Sequence, residues 1–164
     1  MILPIIAYGD PVLRKVGTDI TPAYPDLKSL IANMYDTMNN ANGVGLAAPQ
    51  VGLAIRLFVV DTAPFADDED LTAEEQKFLL GFKKVFINAK ITEETGKKWL
   101  FNEGCLSIPG VREDVSRNEQ ITIEFLDENF NPQKLTLNGL AARVVQHEYD
   151  HIEGILFTDH LSSF

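Results

Sequence analysis

Between Asp26 and Gly43 the apolar positions Leu27, Leu30, Ile31, Met34 and Met38 recur every three or four residues. That period predicts an amphipathic helix whose methionines face a core. Asp26 stands where an N-cap belongs and Asn42-Gly43 where the helix stops. The stretch "AIRLFVVDT" is a near-continuous apolar run of strand length, which predicts a buried strand. "APFADDEDLTAEEQ" has no apolar period and reads as a solvated acidic loop, with Thr72 and Glu75 spaced as a capping box for a short helix. "KKVFINAKIT" predicts another strand. Ile121, Ile123 and Phe125 alternate with polar residues, break at Asp127–Asn131 and resume at Leu135 and Leu137, the pattern of a hairpin.

The last periodic stretch is "LAARVVQHEYDHIEG", where Leu140, Val144, His147 and His151 share one helical face and Gly154 marks the stop. Helices set apart from mostly antiparallel strands give an α+β class, with a central helix near the C-terminus. A chain of 164 residues is expected to form one domain, 1–164.

Within that helix lies the chemistry. His147 and His151 stand four apart, one turn above the other, so both imidazoles reach one ion from the same side. Glu148 is rotated by about 100° from His147, beside such an ion without having to bind it. A carboxylate there is placed to take a proton from water on the metal, the mechanical content of the HExxH motif. The alternative is a pair of histidines packing an amphipathic helix, but on an apolar face each would need a polar partner.

A catalytic metal usually takes three protein ligands, and the helix offers two. In metzincins a third histidine follows three residues after the glycine, where this chain has Phe157. No glutamate follows Glu153, so downstream only Asp159 and His160 remain. Upstream, "NEGCLSIPG" carries Cys105, whose thiolate is a strong ligand for a borderline metal. Alone it would read as a small buried hydrophobe. Beside a motif that lacks its third ligand it becomes the favoured candidate. A further segment, "NGVGLAAPQVG", has glycines that permit close backbone approach, and Gln50, whose amide can donate to a developing oxyanion. On its own it reads as a helix-to-strand turn.

Composition narrows the field. A formal charge of −10 argues against nonspecific nucleic-acid binding and against docking on an anionic membrane, leaving room for a local basic patch around Arg112 and Arg117. The N-terminal apolar run is short and has no basic residue before it, so neither a signal peptide nor a membrane helix is expected. Cys105 is the single cysteine, which excludes an internal disulfide and fits a reducing, cytoplasmic setting.

Three segments, "GVGLAAPQ" (43–50), "EGCLS" (103–107) and "QHEYDH" (146–151), resemble in order and spacing the three signature motifs of peptide deformylases. "GDPVLRK" near the start is similar to that family too, so the likeness spans nearly the whole chain. The resemblance implies a metallohydrolase that removes the N-formyl group from the initiating methionine of nascent chains and releases formate. It implies Cys105, His147 and His151 as ligands of one divalent metal, Fe²⁺ in the cell, replaceable by Zn²⁺, Ni²⁺ or Co²⁺. It further implies Glu148 as general acid/base, and Gln50 with the backbone N–H of Leu106 as the oxyanion hole. Val44, Gly45 and Gly104 would pair with an extended peptide, and Leu140 and Val144 would line the methionine pocket. Its partners would be formylated nascent peptides and, transiently, the ribosome, with no membrane and no specific DNA.

The chain departs from the family pattern in three places. It ends at "TDHLSSF" without the long C-terminal helix of many bacterial members. The acidic stretch Asp67–Glu75 is longer than in the shortest members. Asn42 stands where an acidic residue often precedes the glycine. These bear on ribosome docking and assembly. Two other readings compete: an HExxH peptidase cutting internal peptide bonds, and a non-catalytic metal site closed by Asp159 or His160.

Overall fold

The computed structural model describes residues 1–161; the end of the tail lies outside them. Five strands form one sheet in the order β1 (Gly45–Ala47), β2 (Leu57–Asp61), β3 (Lys83–Cys105), β4 (Ile108–Leu126), β5 (Pro132–Asn138), every neighbour antiparallel. Three helices complete the α+β architecture: α1 (Leu27–Asn40), α2 (Ala73–Gly81) and α3 (Gly139–Ile152).

The packing of β2 explains why Leu57 to Val60 are all apolar. Successive side chains of a strand point to opposite faces. Leu57 and Val59 pack with Ile31, Met34 and Met38 of α1. Phe58 and Val60 pack on the other side with Val144, Val145 and Ile152 of α3. Both faces are covered from Leu57 to Val60, and the one polar residue, Asp61, comes only at the strand's partly exposed end. The methionines of α1 are wholly buried, as their spacing predicts.

The helix boundaries follow the sequence signals with one exception. Thr72 and Glu75 form both bonds of the capping box, Glu75 N–H to Thr72 Oγ1 (3.2 Å) and Thr72 N–H to Glu75 Oε1 (3.4 Å). Asn42 takes the left-handed conformation (φ 57°) that ends α1, and Gly43 N–H closes back on Met38 O at 2.9 Å. Gly154 ends α3 at φ 75°, and a Cβ there would also lie 2.6 Å from the backbone oxygen of Arg14. The exception is Asp26. It occupies the N-cap position of α1 but adopts φ 55°, and its side chain caps nothing.

β3 and β4 are far longer than their apolar cores. They continue past Ile91 and Ile121 as a hairpin that reaches to Cys105 and Ile108, with register shifts that include Thr95/Lys98 and Gly104/Cys105. This hairpin carries "EGCLS" back across the molecule to α3.

Candidate metal centre and its cleft

α3 supplies two imidazoles from one face, and their ring centroids lie 5.3 Å apart. The third group comes from the end of β3, where the Sγ of Cys105 lies 3.4 Å from Nε2 of His151. One ligand atom each from Cys105, His147 and His151 fall within 4.8 Å of one another. Cys105 and His151 are 46 positions apart in sequence, and the long β3–β4 hairpin is what closes that gap.

The two histidines differ in their surroundings. His147 Nδ1 lies 2.9 Å from Oε1 of Glu103, which fixes the ring and leaves Nε2 toward the ligand cluster. Burial opposes a charge on His147, but the neighbouring Cys105 and Glu103 outweigh it and raise the imidazole to about 10. A cation bound at the cluster would take that proton's place. Burial pushes His151 well below the ordinary histidine range, so it stays neutral with a lone pair to donate. A thiol and two imidazoles form a donor set suited to a divalent cation, with a fourth position left over. Asp159 and His160, the downstream alternatives, are engaged elsewhere: Asp159 with Arg14, and His160 with Asp150 at 2.7 Å.

Glu103 is the residue that sequence reasoning passed over. It is buried and accepts from Arg117 Nε (2.7 Å) and Nη2 (3.0 Å), from Arg143 Nη1 (2.7 Å), and from His147. Desolvation alone would raise its carboxyl, but His147 and Arg117 hold it well below the usual range. Arg117 also donates to Asp150 at 2.8 Å. Arg117 is therefore no part of a surface patch with Arg112; its side chain is 3% exposed and committed to two carboxylates.

Glu148 lies in the opposite kind of environment. It is 3% exposed, and its Oε2 has no hydrogen-bond partner among the described residues. Burial pushes its carboxyl up to about 7. A Cβ at Gly45 would lie 2.7–2.9 Å from its Cγ, Cδ and Oε2, so glycine lets β1 pass close over the carboxylate without displacing it.

Gln50 sits in a short 3₁₀ turn, Ala48–Val51, directly after β1. Its Oε1 accepts from Ala47 N–H (2.9 Å), which turns Nε2 toward Cys105 Sγ (3.5 Å) and Ser107 Oγ (3.3 Å). Leu106 occupies the two-residue turn between β3 and β4.

These groups open onto one cleft of ≈ 640 Å³. Val44, Gly45, Gly104, Leu106 and Val144 all line it, as does Phe65 from the acidic loop. Leu140 does not. It is buried in the core formed with Phe86, Ile121 and Ile123, one turn before Val144. β1 is an edge strand of the sheet, the kind of edge to which an extended chain can add, although the Ala47 N–H is already taken by Gln50 Oε1.

Fold and centre together define a metal-dependent hydrolase. The model of the polypeptide deformylase family matches residues 2–164. A peptide deformylase of Flavobacterium johnsoniae is 69% identical over 163 residues, covering 99% of this chain and 83% of the relative. One of Flavobacterium psychrophilum is 65% identical, covering 100% and 84%. Among solved structures, the peptide deformylase of Thermotoga maritima superposes with a TM-score of 0.85 at 34% identity, covering 99% of both chains. That of Synechococcus elongatus in complex with actinonin gives 0.82 at 39% identity, covering 98% of this chain and 79% of the other. The chain belongs to the polypeptide deformylase family.

Proposed function

We infer that this chain performs the family's reaction at the Cys105–His147–His151 centre, within a single catalytic domain spanning 1–164. The reaction is metal-dependent hydrolysis of the N-formyl group from the formylmethionine that begins newly made polypeptides, with release of formate. The observation that carries the assignment is the convergence of a thiol and two imidazoles within 4.8 Å, next to a buried carboxylate with one oxygen unpartnered.

Cys105, His147 and His151 would hold one divalent cation, Fe²⁺ as the native metal, with Zn²⁺, Ni²⁺ or Co²⁺ able to replace it; mixed sulfur and nitrogen ligands suit all four. When bound, the cation supplies Lewis-acid chemistry, polarising the formyl oxygen and acidifying water at its open position. Glu148 takes a proton from the attacking water as its oxygen bonds to the formyl carbon. The amide Nε2 of Gln50 and the backbone N–H of Leu106 donate to the oxyanion of the tetrahedral adduct. Glu148 then returns the proton to the amine nitrogen as the carbon–nitrogen bond breaks. The products are formate and a free N-terminus.

The substrate's backbone would pair with Val44, Gly45 and Gly104 as an added strand. Val144 would bound the methionine pocket directly, with Leu140 supporting it from the core. The partners are formylated nascent peptides, with transient ribosome contact in the cytoplasm and no membrane or specific DNA partner. No helix among the described residues is long and apolar enough to cross a membrane.

The test is formate release, measured anaerobically with metal analysis, from formylmethionyl peptides against unformylated controls. The expected result is stoichiometric formate, released far more slowly by Glu148→Gln with metal content retained. Cleavage of internal bonds without formate would contradict the assignment.

A further inference from the structure

Arg112 stands apart from the other charged groups on the cleft wall. Glu103, Arg143 and Glu148 are buried, and His147 is largely so; all belong to the centre or its supports. Arg112 alone among the charged residues of that wall is exposed. It lies on β4 directly opposite Gly104, the neighbour of Cys105. A Cβ at Gly104 would meet its Nη1 at 2.7 Å, so the guanidinium rests against the Gly104 backbone.

The guanidinium is held in place by neutral acceptors only. Its Nε donates to Oδ1 of Asn102 (2.7 Å) and its Nη2 to the Asn102 backbone oxygen (3.1 Å). No ion pair among the described residues involves it. The next carboxylate on its face of β4, Asp114, receives a bond from Asn102 Nδ2 (3.3 Å) and does not line the cleft. Position 42, also on the wall, is a neutral asparagine. The acidic loop contributes Phe65 to the cleft, but none of Asp67, Asp68, Glu69 or Asp70 lines it. In a chain of net charge −10, the cleft thus carries one oriented cation with no carboxylate of its own. A guanidinium fixed through its Nε edge still offers Nη donors in the planar fork that matches a carboxylate.

We propose that Arg112 is a specificity-determining residue that favours peptides with an acidic side chain one or two positions after formylmethionine. This rests on the function inferred above, in which the peptide runs extended past Gly104. An extended chain advances about 3.3 Å per residue and alternates its side chains. The residues just beyond the first therefore present a side chain at the rim where Arg112 lies. The site is solvent-exposed, so the effect is modest and sensitive to salt.

The test compares kcat/KM for formate release from N-formyl-Met-Ala-Asp, -Asn and -Lys peptides, each C-terminally amidated and the Asn peptide also as its free acid, on protein loaded with Ni²⁺. The expected ratio of Asp to Lys peptide is about three- to fivefold at low salt, the scale of an exposed ion pair, and it shrinks as salt is added. Arg112→Gln brings the ratio to one, Arg112→Lys keeps part of it, and Arg112→Glu inverts it. A wild-type ratio near one, or one that Arg112→Gln leaves unchanged, would overturn the role of Arg112. Preference for the free-acid Asn peptide over its amide, without preference for the Asp amide, would overturn the side-chain assignment. Formate release from none of the peptides would instead overturn the proposed function itself.

Discussion

Glu103 and Glu148 are two carboxylates flanking the same histidine, and their surroundings give them opposite character. Glu103 receives four hydrogen-bond donors, three of them from two arginines. Its charge is fully compensated and its carboxyl is held low. Glu148 faces the cleft with an unpartnered oxygen, and burial lifts its carboxyl to about 7. Environment, not residue type, separates a group that holds a charge permanently from one that can exchange a proton near neutrality. The first suits a residue that orients a ligand; the second suits the proposed acid/base.

The sharpest way to break that comparison is to exchange the groups for neutral isosteres. Glu148→Gln should lower kcat by about 10²–10⁴-fold, the usual share of a general acid/base, while bound metal measured by plasma emission stays at one per chain. Gln50→Ala should cost about 10²–10³-fold in kcat, as removal of one oxyanion donor does; an unchanged rate removes Gln50 from the mechanism. Glu103→Gln should leave proton transfer possible but weaken metal affinity by about 10–100-fold, read by chelator competition. It should also destabilise the fold, by about 3–5 kcal/mol in denaturant titration, because Arg117 and Arg143 lose their shared buried partner. If Glu103→Gln instead abolished turnover at full metal loading, the division of roles would be wrong.

The smallest expected effect is in the pH dependence of stability, and its sign distinguishes the two groups. Glu148 has a raised carboxyl, so the folded protein keeps a proton that the unfolded chain gives up above the ordinary value of 4.5. Its contribution is present below pH 4.5 and is lost as pH rises toward about 7. Glu103 has a lowered carboxyl, so its contribution is present above pH 4.5 and is lost as pH falls. In chelator-treated protein, Glu148→Gln should flatten the decline in Tm between pH 4.5 and 7, and Glu103→Gln should flatten the loss on the acid side. Equal slopes in the two variants would show that their environments do not differ as described.

The sequence made the same division partly visible. Glu148 was legible because its partners lie on its own helix, where the spacing of His147 and His151 defines the geometry. The helices were legible for the same reason, through local period and, for α2, a capping box. Glu103 was not, because its donors lie 14, 40 and 44 residues away along the chain. Arg117 therefore read as a surface cation although it is buried. The far arms of β3 and β4 were missed because residues such as Glu93, Glu94, Lys97 and Lys98 are exposed and carry no alternating apolar signal. β1 was hidden by its three-residue length and its glycine-rich surroundings. Asp26 misled because a good capping residue in a left-handed conformation cannot place its oxygen over the helix end.

The central claim is that sulfur from the end of β3 and nitrogen from two turns of α3 share one cation. X-ray absorption on the zinc-loaded protein tests it most directly. One sulfur at about 2.3 Å with nitrogen or oxygen at about 2.0–2.1 Å, the sulfur shell vanishing in Cys105→Ala, is the predicted result. A full complement of zinc surrounded by nitrogen and oxygen alone would contradict it.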